Sequence, residues 1–267
     1  MRLLPVMLLA AAIAPLHAAQ AYEVTIDFSN LSGANGAALS PVFIALQNGS
    51  FNPYTPGSTA SSAIVTLAHT GSGSGLGAEF NQPGGQSAEV TASGGFGPGI
   101  YLPGQSGSIT LNLDPVANEY LSFYTMVVPS NDRFIGETVQ LFNSSGTFIG
   151  ANETLNGSSI WEAGAYNSQV AGAAFVVNNA GNNVLTPNGV ISQDYNFSVY
   201  SGQLTPAGYN FTNLPGADTP ILSLSATAAA PVPLPAQVVP YSIGLGLLGL
   251  KRLAGQRNKN RDHGLTA

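Results

Sequence analysis

The sequence predicts an all-β fold, an antiparallel β-sandwich with one short helix, flanked by an N-terminal signal helix and a C-terminal apolar helix. Apolar residues make up 44% of the chain, and in several stretches they recur at every second position, which is the period of a half-buried strand. The chain is rich in turn formers, with 32 glycines and 18 prolines among its 267 residues. Short alternating stretches separated by turn residues are typical of a sandwich.

The first predicted segment, residues 1–21, has the pattern of a secretory signal peptide. Arg2 supplies the positive start, Leu3 to Leu16 the apolar region, and Ala19-Gln20-Ala21 a small-residue cleavage site. We expect cleavage between Ala21 and Tyr22, so that the mature domain begins with Tyr22. The alternative is a buried N-terminal helix.

The domain is predicted to span residues 22–225. Its first stretch, Tyr22 to Phe28, alternates strictly, with Val24, Ile26 and Phe28 on the inner face. The best helical pattern runs from Thr59 to His69, and the Gly-rich stretches 71–77 and 84–104 are expected to be loops. We expect strands at residues 22–28, 40–46, 88–92, 108–114, 121–128, 139–143, 147–149, 173–177, 195–200 and 221–225.

The central strand, Leu121 to Val128, is apolar on both faces and should be covered on both sides. Pro129 has no N–H to donate, so regular pairing should stop there. Asn131 and Asp132 are turn formers, and the apolar residues that follow return the chain to the core. The sequence therefore predicts a polar loop held between two buried anchors, with Asp132 at its tip.

Charge is unevenly distributed along the chain. Between Tyr22 and Pro231 there are twelve acidic residues and one basic residue, Arg133, which gives this part a net charge of about −11. Such a surface does not attract phosphate backbones, so nucleic-acid binding is excluded, and cations are its natural counter-ligands. The chain has no cysteine, which excludes thiol chemistry.

The stretch from Thr125 to Gly136, TMVVPSNDRFIG, resembles the M-V-P-S/T-N/P-D-x-F-V-G segment of the spondin N-terminal domain. This resemblance covers about Tyr22 to Ala173, and it departs from the family where Ala-Glu-x-Gly is replaced by Ala68-His69-Thr70-Gly71. It implies an antiparallel sandwich and a calcium site on the loops around Asp132 and around a later Y-D-A-G-T segment. That later segment is here Trp161-Glu162-Ala163-Gly164-Ala165, so glutamate replaces the aspartate.

The resemblance thus implies Ca²⁺ as a ligand, held by Asp132, Glu162 and Asn131, because calcium takes hard oxygen ligands. Two structural alternatives remain open. In the first, Asp132 is a solvated turn residue. In the second, Arg133 neutralises the acidic loops by pairing with Asp132, Glu137 or Glu162.

Other candidate residues favour structural roles. His69 near the end of a helix suits a C-terminal charge partner, since no G-x-S-x-G motif surrounds any serine. The domain has no lysine, which excludes Schiff-base chemistry. Trp161, Tyr166 and Tyr124 suit either a sugar-stacking surface or core packing.

The C-terminal part is predicted to comprise a linker at residues 226–231 and a sorting signal at residues 232–261. An apolar membrane-spanning segment at 238–250 is followed by a basic tail. The pattern resembles the PEP-CTERM sorting signal in its V-P-L-P-A form, carried by Val232, Pro233, Leu234, Pro235 and Ala236. The resemblance implies an exosortase-type sorting enzyme as a partner; a plain membrane anchor is the alternative.

These predictions describe a protein exported by a Gram-negative bacterium, first as an inner-membrane-anchored precursor and then at the outer surface or in the extracellular matrix. The expected role is a noncatalytic binding or adhesion module for extracellular polysaccharide or a surface protein. The alternatives are a hydrolase that uses paired carboxylates on envelope polysaccharide, and a matrix filler with no specific partner.

Overall fold

Two antiparallel sheets pack face to face in the computed structural model, which describes residues 21–229. The strands of this part are β1 (Tyr22–Asn30), β2 (Ala38–Leu39), β3 (Val42–Gln47), β4 (Gln86–Val90), β5 (Ser106–Leu113), β6 (Tyr120–Val128), β7 (Arg133–Gln140), β8 (Ala151–Asn156), β9 (Ile160–Glu162), β10 (Ser192–Gln193) and β11 (Pro220–Ala228). One sheet has the order β5-β1-β11-β8, and the other β10-β9-β7-β6-β3-β4, with β2 beside β6. The chain is therefore mostly β, with a sandwich-like fold, as predicted.

The core lies between the sheets, and strand alternation builds it. Val24, Ile26 and Phe28 of β1 are completely buried, and the Phe28 ring lies 5.5 Å from that of Phe123 on β6 in the opposite sheet. After Tyr120 every residue of β6 is buried. Both expectations, a half-buried first strand and a central strand covered on both faces, are confirmed.

A helical layer covers the outer face of the larger sheet. Helix α1 (Ser62–Thr70) begins at Ser61, whose side chain accepts the N–H of Ile64, and ends at Gly71, whose φ of 73° suits glycine. The structure also contains α2 (Ser74–Glu79), so the prediction of a single helix is wrong. Leu76, completely buried, anchors α2 within a stretch too rich in glycine to predict as a helix.

Several short segments differ from the predicted strands. Residues 147–149 and 173–177 form only isolated bridges, and residues 198–200 form a 3₁₀ turn. Strand β7 starts earlier than predicted, at Arg133. Strand β11 continues to Ala228, because Ala226 is buried and pairs with Ile26 and Ala151, so part of the predicted linker belongs to the sheet.

The two ends of the described domain lie side by side. Val24 pairs with Ala228, and the N–H of Ala229 donates to Glu23. No helix within residues 21–229 is long and apolar enough to cross a membrane. The predicted signal peptide before Ala21, the sorting signal at 232–261 and its apolar segment lie outside the described residues.

The loop between β6 and β7 lies at the opposite end of the sandwich. The Tyr22 ring packs on Phe142 and Phe148, near the end of β7, and Leu141 donates its N–H to Glu119, just before β6 begins. From there β6 runs for nine residues, roughly 30 Å at 3.3 Å per residue, before it reaches the loop. We call the end of the sandwich that carries the loop between β6 and β7 the distal pole.

Candidate functional site

The Asp132 loop, residues 129–132, is buried at the distal pole and does not project into solvent. Segments from the second half of the chain cover it: Ala163 donates its N–H to the carbonyl of Asp132, and Ala174 donates to that of Ser130. The alternative that Asp132 is a solvated turn residue is therefore wrong. The chain that buries the loop is distant in sequence, so no local pattern around Asp132 could have indicated it.

The Asp132 carboxylate fastens a second loop, the Glu162 turn, defined as residues 162–168. Oδ2 accepts the N–H groups of Ala165 at 2.7 Å and Tyr166 at 3.1 Å. Oδ1 is buried and has no partner among the described residues, and the side chain is 1% exposed. The Asp132 loop and the Glu162 turn are thus joined by direct hydrogen bonds.

Burial is the main reason that the pKa of Asp132 rises from 3.8 to about 7. The two N–H groups oppose the rise because they stabilise the charged carboxylate, while the nearby Glu162 charge adds to it. A buried carboxylate with one unpartnered oxygen is stabilised by a proton or by a cation.

Asn131 uses its side chain to hold neighbouring loops together. Its Oδ1 accepts from the Tyr200 hydroxyl at 2.7 Å, and its Nδ2 donates to the Asn167 carbonyl and to Asn183 Oδ1. The side-chain oxygen that was predicted to bind calcium therefore already has a protein donor.

His69 connects helix α1 to the same loop. Nδ1 lies 3.0 Å from the carbonyl of Asn131, which only accepts, so Nδ1 carries the proton. Nε2 then accepts from Asn183 Nδ2 at 3.2 Å, and the ring packs against that of Tyr166 in a tilted arrangement, with a centroid distance of 4.7 Å and an interplanar angle of 37°. His69 lies in the last turn of α1, as predicted, but its partners are the loops and not the helix end.

Arg133 is a buried cation, 1% exposed, and its partner is Asp194. The predicted pairings with Asp132, Glu137 or Glu162 are wrong. Nη2 lies 2.5 Å from Asp194 Oδ2 and also donates to Ser168 Oγ and the Asn196 carbonyl. Its guanidinium carbon lies 4.5 Å from the centroid of the Phe197 ring, a cation–π contact.

The register of the larger sheet explains this choice of partner. Glu162 pairs with Arg133 on one side and with Ser192 on the other, which brings residues 192–196 beside β7 through β9. Asp194 was not predicted as a site residue. Arg133 is the only basic residue among twelve acidic residues in this part of the chain, so an acidic partner for it was to be expected. The sequence does not indicate which of the twelve acidic residues it is.

Glu162 joins this arrangement through a serine. Its Oε1 accepts from Ser168 Oγ at 2.8 Å, and Ser168 in turn accepts from Arg133. Glu162, Ser168, Arg133 and Asp194 therefore form one continuous hydrogen-bonded row. The two carboxylates at its ends line the same surface cleft.

The three aromatic residues proposed for sugar stacking occupy different places. Tyr124 is 1% exposed and belongs to the core beneath the helices. Trp161 is half-buried and packs against Tyr54 at 6.0 Å. Only Tyr166 lines the cleft.

Within residues 21–229, no group of three or more His, Cys, Asp or Glu side chains is placed to hold a metal ion. A calcium ion here would need Asp132 Oδ1 and Glu162 as its acidic ligands and backbone or water oxygens to complete its shell. The unpartnered, buried Oδ1 of Asp132 fits such a cation. The side-chain oxygen of Asn131 contributes least to such a shell, because it already accepts from the Tyr200 hydroxyl. No known family model matches the chain, and no curated protein is similar to it.

Proposed function

We propose that this protein is an exported, noncatalytic binding or adhesion module of the cell surface or extracellular matrix, with a spondin-like domain that calcium stabilises. The observation that carries the proposal is the placement of the Asp132 loop and the Glu162 turn at the distal pole. The chain leaves the domain at the other end, beside Glu23. An anchored or sorted C-terminus therefore leaves the distal pole free for a ligand.

The proposed export route rests on residues 1–21 and 232–261. A sorting signal of the PEP-CTERM type makes an exosortase-type enzyme the partner of the tail, and the destination the outer surface or matrix of a Gram-negative bacterium. Strand β1 begins at Tyr22, directly after the proposed cleavage site, so cleavage leaves the sheet intact.

The contacts of the polar side chains support binding over catalysis. Asp132 is buried beneath the surface, and both ring nitrogens of His69 are engaged by amide groups. Glu162 and Asp194 are held by Ser168 and Arg133. These groups hold loops in place, which is what a preorganised binding surface requires.

A second candidate function is a hydrolase that acts on envelope polysaccharide. The observation in its favour is that Glu162 and Asp194 line one cleft, because paired carboxylates catalyse glycoside hydrolysis. This is the weaker candidate, because the Glu162 and Asp194 carboxylates are already hydrogen-bonded to Ser168 and Arg133.

We expect the purified full-length chain to retain envelope fragments or exopolysaccharide from a Gram-negative bacterium and to release no reducing sugar from them. Retention should decrease when a chelator removes calcium. Glu162→Gln separates the two candidates, because sugar release by the wild type that this single change abolishes would establish the hydrolase. Absence of retention with and without calcium would contradict the binding module.

A further inference from the structure

The cleft beside β9 and β10, at the distal pole, has a volume of about 510 Å³. This volume is within the range of sites for small ligands, roughly 300–1,000 Å³. Carboxylates, amides, hydroxyls and one aromatic ring line it, contributed by Glu162, Asp194, Asn167, Ser168, Ser192 and Tyr166.

The buried guanidinium of Arg133 fixes the polar wall of this cleft. It binds Asp194 and Ser168 from beneath, and Ser168 donates to Glu162. A ligand that binds here therefore meets acceptors that are already oriented, and the entropic cost of ordering them has been met by folding.

The remaining wall is also held in place. The Tyr166 N–H donates to buried Asp132, and the Tyr166 ring packs against the His69 ring at an interplanar angle of 37°. Asn167 Oδ1 accepts from the Thr186 hydroxyl at 3.0 Å. An aromatic ring in a fixed position beside amide and hydroxyl groups can contact both the apolar and the polar faces of a ring-shaped polyhydroxyl ligand.

The charge of the cleft selects among such ligands. Glu162 and Asp194 are the charged groups that line it, while the one nearby cation, Arg133, is 1% exposed and already bound to Asp194. Anionic ligands would meet repulsion, and cationic or uncharged ligands would not.

We propose that this cleft binds sugar residues that are uncharged or carry an amine, and that it rejects sugar acids. The inference rests on the proposed function, since it names the ligand class of the binding module. Carboxylate acceptors receive hydrogen bonds from sugar hydroxyl or ammonium groups, and the amides of the cleft both donate and accept.

The test is calorimetric titration of the full-length chain with three tetrasaccharides: the β-1,4-linked tetramer of glucosamine, cellotetraose and tetragalacturonate. We expect the glucosamine tetramer to bind tightest, cellotetraose more weakly, and tetragalacturonate at least about tenfold more weakly than cellotetraose. Ser192→Trp should lower the affinity for the first two at least about tenfold, because Ser192 is exposed and lines the cleft, where an indole would occupy the space of the ligand.

Ser87→Trp is the matched control, since Ser87 is also exposed on an edge strand, at the other end of the same sheet. It should bind all three probes like the wild type, and unchanged melting midpoints should verify the fold of both variants. Equal affinity for tetragalacturonate, or normal sugar binding by folded Ser192→Trp, would overturn the proposal. Binding of tetralysine but of no sugar would overturn it in favour of a basic protein ligand.

The same variants separate this inference from the proposed function. If Ser192→Trp retains envelope fragments as the wild type does and no tetrasaccharide binds, the cleft is not the site, but the binding module stands. If the wild type retains no envelope fragments, the proposed function itself fails.

Discussion

Asp194→Ala will lower the free energy of unfolding by about 3–5 kcal/mol, because it leaves the buried guanidinium of Arg133 without a counter-ion. Arg133→Met should cost less, about 1–3 kcal/mol. Asp194 is 26% exposed, so its carboxylate can be solvated once the arginine is gone, while lost hydrogen bonds and the Phe197 contact account for the decrease. Urea denaturation of the full-length chain measures both values.

The double variant Arg133→Met with Asp194→Ala provides the internal check. It should be more stable than Asp194→Ala alone, since no uncompensated buried charge remains. Asp218→Ala is the control, because Asp218 is exposed and should change stability by no more than about 0.5 kcal/mol. Equal destabilisation by the two single variants would refute the asymmetry that the burial of Arg133 predicts.

Asp132→Ala will also destabilise the fold strongly, by about 2–4 kcal/mol, because the N–H groups of Ala165 and Tyr166 lose their acceptor. The Glu162 turn should be the first part to loosen, which hydrogen exchange at these two amides can measure. Fast exchange in Asp132→Ala and slow exchange in the wild type is the expected result. Equal exchange rates would show that Asp132 does not hold the turn.

The pH dependence of stability follows from the raised pKa of Asp132. The folded protein binds the proton up to about pH 7, whereas the unfolded chain releases it near 3.8, so stability should fall as the pH rises from about 4 to 7 and then level off. At about 1.4 kcal/mol per pKa unit, the decrease attributable to this group is up to about 4 kcal/mol. The contribution of Asp132 is isolated by comparing the free energy of unfolding of the wild type and of Asp132→Asn across this pH range, with a chelator present. Parallel stability curves for the two proteins would contradict the raised pKa.

The sequence was sufficient for the fold class and for the core strands. Strict alternation in β1 and continuous burial in β6 are local signals, and the structure has both. Elements fixed by tertiary contact were missed. Helix α2 depends on buried Leu76, and strand β9, only three residues long, is recognisable only by its pairing with β7 and β10.

The candidate site was predicted in part. The approach of the Glu162 turn to Asp132 was expected from the resemblance, and the hydrogen bonds between them are present. The burial of Asp132 and the pairing of Arg133 with Asp194 were not predicted. Both depend on residues 163–196, which fold over the loop from more than thirty positions away.

A calcium melt tests most directly the claim that the carboxylate-bearing loops of the distal pole hold a ligand. At pH 6.5 the wild-type chain should melt higher in millimolar calcium than in chelator, because an ion that binds only the native state stabilises it, by about 2.7 kcal/mol at a hundredfold excess over Kd. Asp132→Asn should lose this shift, and Asp218→Asn should keep it. Identical wild-type melts in calcium and chelator would contradict the account.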